Sequence, residues 1–101
     1  MPVINLGEII AERTLTISGE DRELTVLLGK PQKVADGDHY RCPFTILGVE
    51  DEQVRYASGS DAFQALMLTL RMIGVGLELR NRSYGGRLRW YGNMDLGFPG
   101  G

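Results

Sequence analysis

Asp36, Asp38 and His39 place two carboxylates and the chain's one imidazole within four residues, the groups that most often hold metals or carry protons. Their spacing fits no such site. An EF-hand loop needs further oxygens and a Glu at its twelfth position, and zinc needs more His or Cys, so a solvated loop is expected here. Cys42 as a nucleophile needs a base, and His39 is the only imidazole. Three residues apart in a strand, the two side chains lie on opposite faces, and a small buried thiol is expected instead. Ser58, Ser60 and Asp61 could complete a triad only through the same His39, and helix capping already accounts for them. Gly74, Gly76, Gly85, Gly86, Gly92, Gly97, Gly100 and Gly101 form no G-x-G-x-x-G between a strand and a helix, and no G-K-[ST] follows a glycine-rich turn. The free N–H groups between Gly59 and Asp61 could hold an anion, which Asp61 would repel. No set of convergent polar groups assembles, so the sequence predicts neither catalysis nor a cofactor nor a metal.

The elements that must position these residues follow from the hydrophobic period. Arg13 to Ile17 alternates, with Leu15 and Ile17 inward. After Ser18-Gly19-Glu20-Asp21, the run Glu23 to Leu28 puts Leu24, Val26 and Leu28 inward, which reads as a hairpin. Gly29-Lys30-Pro31 ends the second strand, and Ala35 to Asp38 is a loop by turn chemistry. A third strand, Tyr40 to Gly48, buries Phe44 and Ile46 on the parity of Tyr40 and Cys42. Pro43 has no N–H, so its side of that strand should be an edge, a bulge or the strand's start. A fourth strand, Glu52 to Ser58, is read with Val54 and Tyr56 inward.

At Asp61 the period changes. Asp61 with Gln64 three residues later is a capping-box arrangement, and Phe63, Leu66, Leu70, Ile73 and Leu77 follow at helical spacing. The predicted helix runs from 61 to about 80. Its opposite side carries Leu68, Met72 and Val75, apolar residues left for something beyond the chain's own sheet. Gly74 and Gly76 each cost about 1 kcal/mol in a helix interior, and Arg80 and Arg82 suit its C-terminal end. After the turn at Ser83 to Gly86, Arg87 to Tyr91 is a fifth strand with Leu88 and Trp90 inward. The tail from Gly92 is irregular, although Leu96 and Phe98 can pin it to the body. The expected fold class is α+β: a mainly antiparallel sheet of about five strands with one long helix on one face, in the order β-β-β-β-α-β.

Composition agrees with one domain over residues 1–101. With 43% apolar and 24% charged residues in 101, such a chain buries roughly 60 to 70% of its unfolded surface and needs no staple. The lone Cys42 has no internal disulfide partner, which suits a reducing cytoplasm. Residues 1–10 lack a basic start and a continuous apolar run, and the stretch 62–79 is interrupted by Gln64, Thr69, Arg71 and Glu78. Neither a signal peptide nor a membrane span is therefore expected, and no membrane partner. Residues 1–61 carry eleven acids against six basic residues, whereas 62–101 carry two acids against five arginines. An overall pI near 5.3 argues against avid nucleic-acid binding, which depends on neutralising phosphates.

What remains is surface. The sheet face away from the helix is expected to show Thr14, Thr16, Thr25, Thr45, Leu27, Arg41, Leu47, Arg55, Arg87, Arg89 and Tyr91. Arginines can grip carboxylates in a bidentate manner, and Leu27, Leu47 and Tyr91 among four of them resemble the mixed patches of protein interfaces. A single-stranded nucleic-acid binder would want two or three stacking aromatics there, and only Tyr91 is available.

The segments Cys42-Pro43-Phe44-Thr45-Ile46-Leu47-Gly48, Arg55-Tyr56-Ala57-Ser58-Gly59, Asp61-Ala62-Phe63-Gln64-Ala65-Leu66 and Asp95-Leu96-Gly97-Phe98-Pro99 resemble a small bacterial domain family of unknown function. The resemblance runs from Ala11 onward over nearly the whole chain. It implies a bacterial origin and this order of elements, and it carries over no catalytic residues. By analogy with other small bacterial domains, the expected function is a non-catalytic protein-binding module, an immunity-type inhibitor of a toxin being one form. The expected partner is another protein or a second copy, with a single-stranded nucleic-acid binder as the alternative.

Overall fold

The computed structural model describes residues 5–35 and 37–99. Asp36, Gly100, Gly101 and the first four residues of the leader reading therefore lie outside the described residues. The elements are β1 (Ile9–Ile17), β2 (Glu23–Gly29), β3 (Gln32–Lys33), β4 (Tyr40–Leu47), β5 (Arg55–Gly59), α1 (Ala62–Ser83) and β6 (Leu88–Arg89). All strand pairs are antiparallel, and the expected α+β layering is present.

β2 and β3 lie along the same neighbour, β4, one after the other. Leu28 pairs with Phe44 and Gln32 with Arg41, so the register shifts by one residue across Gly29 to Pro31. The sheet is thus five strands wide, β5-β4-β2/β3-β1-β6, with β5 and β6 at its edges. Pro43 sits in β4 opposite this bulge, where a missing N–H costs the ladder least. β3 was not foreseen, because Gln32 and Lys33 follow Pro31 and carry no alternation.

Strand parity holds for β1, β2 and β4, whose Leu15, Ile17, Leu24, Val26, Leu28, Phe44 and Ile46 form the core with Ile73, Leu77 and Leu88. It fails for β5. Ala57 pairs with Cys42 and is buried, so Tyr56 and Ser58 point away from the helix. Val54 precedes the strand.

α1 starts as expected. Asp61 Oδ1 accepts the Gln64 N–H at 2.7 Å, and Gln64 Oε1 accepts the Ser60 N–H at 2.6 Å. The helix continues past the expected end near Arg80 to Ser83, where the Tyr84 N–H closes on the Arg80 carbonyl. Its buried line is Ala65, Thr69, Ile73 and Leu77, with Leu66 and Leu70 packed beside it. Phe63, expected in the core, is 78% exposed. α1 rests on β5 and β4. The tail covers the inner side towards β1, where Leu96 and Phe98 pack on the core.

α1 is long and apolar enough to cross a membrane by length and composition alone. Its most apolar stretch has mean hydropathy 1.4, and 22% of it is buried. On this sheet, the consequence is an apolar flank with no partner among the described residues.

Candidate functional site

The outer sheet face is covered at one side. The Leu6 carbonyl stands over Gly29, and Gln32 donates to the Asn5 carbonyl. Thr45 is buried because its hydroxyl donates to the Gln53 carbonyl at 3.0 Å, with the Glu52 carbonyl at 3.3 Å. The open part lies over β2, β1 and β6, with Thr14, Thr16, Thr25, Leu27 and Leu47. Arg89 joins it, because it pairs with Thr16 on that parity.

The four arginines expected there do not form a free cationic set. Arg55 pairs with Phe44 and so projects to the helix side. It lines a hollow with Met72, Gly76 and Arg80, and bonds Asp51 at 3.3 Å. Arg87 is committed to partners within the chain: Nε donates to the Tyr84 carbonyl at 2.8 Å, Nη1 to the Ser18 carbonyl at 3.0 Å and Nη2 to Glu20 at 2.7 Å. Arg41 is half-buried, its guanidinium 4.8 Å from the Tyr56 ring centre. Arg89 Nη1 donates to the carbonyls of Gly86 and Leu88, both at 2.8 Å. Single-residue properties could not reveal these ties: those of Arg87 and Arg41 depend on groups brought close by folding, and those of Arg55 and Arg89 on the local turn geometry.

Tyr91, in contrast, is presented. It is 89% exposed and is the one non-glycine residue with positive φ, 48°, among those described. Such backbone strain persists only where surrounding structure holds it. Its ring is tilted against Trp90 at a centroid distance of 5.6 Å. Beside it lies a hollow of about 530 Å³ whose lining includes Glu12, Thr14, Thr16, Glu23 and Tyr91. Glu12 and Glu23 form no ion pair among the described residues. The lining also holds Arg13 and Trp90, stacked on each other, so the site combines two carboxylates and two hydroxyls with two aromatic rings and one arginine already bonded to the Leu96 carbonyl, in place of the cationic face expected. An alternating strand reading could have found Glu12, which lies on the parity of Thr14 and Thr16, had β1 been extended back to Ile9.

Cys42 is buried, and its thiol donates to the Gly29 carbonyl at 3.5 Å. Burial pushes its pKa above the ordinary thiol value, with Thr69 acting against that shift. His39 lies in the turn before β4. Among the described residues, no group of three or more His, Cys, Asp or Glu is placed to hold a metal ion.

The class is thus a two-layer α+β domain with an antiparallel sheet, one helix and an open outer face. The chain belongs to the domain family of unknown function DUF6968, whose model matches residues 11–100. No curated protein and no solved structure matches it.

Proposed function

We propose that this chain is a non-catalytic protein-binding module that takes a basic segment of its partner on the open face of β2, β1 and β6. The observation that carries the reading is Tyr91, held exposed at positive φ beside Glu12 and Glu23. A cation between carboxylates and an aromatic face gains both Coulomb attraction and cation–π contact. The Thr14 and Thr16 hydroxyls supply further donors and acceptors. An immunity-type inhibitor is the specific form of this reading: covering a toxin site that binds polyphosphate calls for carboxylates on the inhibitor. The same carboxylates oppose the nucleic-acid reading, because they repel phosphates. A non-catalytic role agrees with a thiol that is buried and bonded to backbone.

The test is affinity capture from the native cell with the parent chain, Glu12→Lys/Glu23→Lys and Tyr91→Ala, identifying both protein and RNA. One protein partner should be recovered, bound at least about tenfold more weakly by each variant, and more weakly by the parent as salt rises. Folded variants that retain every parental partner would sink the reading. Recovery of RNA in place of protein would favour the alternative.

A further inference from the structure

A second surface lies on the opposite layer and is independent of the open sheet face. Leu68, Met72, Val75 and Leu79 stay exposed along one flank of α1, directed past the sheet edge at β5. Among the described residues that strand pairs with no strand but β4, so one row of its backbone groups lacks a strand partner. Two adjoining hollows share Met72 and Gly76, giving a continuous groove between helix and edge. An added Cβ on Gly76 would meet nothing within 4 Å.

We propose that this flank is the interface of a symmetric dimer, in which α1 packs antiparallel on α1 of a second copy. Three features of the chain select a second copy. Met72, Val75, Gly76 and Leu79 have the i, i+3, i+4, i+7 spacing of a hole that accepts one knob. A twofold axis beside Val75 seats the Val75 of each copy in the other's hole, which makes the contact isologous. The charges obey the same axis. Arg71 and Glu78 lie on one flank of the strip, at nearly equal distances either side of Val75, so each Arg71 meets the other copy's Glu78.

The spacing also closes. With the axis normal to the sheet, the two β5 edges run antiparallel beside each other and both helices stay on one face. Strands are about 4.8 Å apart. A helix resting over β4 and β5 then lies about 5 Å from the axis, and the two helices lie about 10 Å apart, at the upper end of the packing range. Both open faces remain on the far layer, clear of this contact.

The experiment is sedimentation equilibrium over a wide concentration range, on the parent and on Arg71→Glu, Glu78→Arg and the double exchange. The parent should dimerise. Each single change should weaken dimerisation about tenfold, and the double exchange should restore most of the loss. In a Cys42→Ala background, Val75→Cys should oxidise to a linked dimer. Phe63→Cys, exposed but off the axis, should not. A parent that is monomeric throughout, a double exchange no better than the singles, or an unlinked Val75→Cys would each overturn the proposal. So would a monomer that binds anionic phospholipid vesicles and loses that binding in Val75→Asp, since the strip would then meet lipid. None of these outcomes bears on Tyr91, Glu12 and Glu23, so the open-face reading stands or falls separately.

Discussion

Thr69 is the residue whose role the apolar period hides most completely. It is fully buried; its hydroxyl accepts the Ala57 N–H at 3.1 Å and donates to the Cys42 carbonyl at 2.7 Å. One helix side chain thus satisfies two buried backbone groups at the Cys42 and Ala57 pair. Thr69→Val keeps the shape and strands both groups, so chemical denaturation should show a loss of about 1–3 kcal/mol. Thr69→Ser should retain most of the stability. In the sequence this threonine looks like a polar interruption of an apolar stretch, because its partners are backbone atoms 12 and 27 residues away. Cys42, by contrast, was legible as a buried thiol from parity alone. Its raised pKa fixes a sign: the folded state holds the thiol proton more tightly than the unfolded chain. Stability from this group is therefore present below the ordinary thiol pKa and falls as pH rises through the alkaline range. The stability difference between parent and Cys42→Ala should be flat near neutrality and shift against the parent above roughly pH 8.5. A pH-independent difference up to strong alkali would contradict that assignment.

Between the elements, large apolar residues gave the helix its existence, and small ones gave it its rotation. The expected stripe through Phe63 and Leu70 and the observed line through Ala65 and Thr69 differ by roughly 60° around the axis. They share Ile73 and Leu77. Close approach explains the turn: a Cβ on Gly59 would collide with the backbone of Ala65 and Gln64. β5 meets α1 through Ala57 and Gly59, too small to register in an apolar count, and for the same reason alternation alone puts Tyr56 inward. β1, β2 and β4 were readable because their core residues are large and alternate. Leu77→Ala should cost about 2–5 kcal/mol, whereas Phe63→Ala should stay within about 0.5 kcal/mol; equal midpoint shifts in urea would mean the observed line is misplaced. The two helix glycines divide in the same way. At a concentration where the chain is monomeric, Gly76→Ala should gain up to about 1 kcal/mol from helix propensity. A Cβ on Gly74 would press on the Pro99 carbonyl and the Phe98 Cβ, so Gly74→Ala should lose that gain and loosen the tail.

Across the whole molecule, one helix on β4 and β5 leaves the inner side near β1 to be closed by the tail, and Arg13 is the clasp. Its guanidinium lies 3.9 Å from the Trp90 ring centre and 4.7 Å from that of Phe98, and Nη1 donates to the Leu96 carbonyl at 2.9 Å. The apolar tail residues announced that the tail would dock. The arginine did not, because β1 parity placed it inward with no acceptor nearby in sequence. A planar cation stacked on two rings while bonding a carbonyl cannot be copied by an ammonium. Arg13→Ala should therefore cost about 1–3 kcal/mol, with Arg13→Lys recovering little of it. Trp90 is the only tryptophan, so its fluorescence reports the clasp directly. In Arg13→Ala the Trp90 emission should shift to the red at denaturant concentrations where the far-ultraviolet signal of α1 is still native, because the tail lifts before the sheet and helix separate. The parent should show one coincident transition by both probes. Coincident transitions in the variant, with an unchanged midpoint, would mean that Leu96 and Phe98 hold the tail without the arginine.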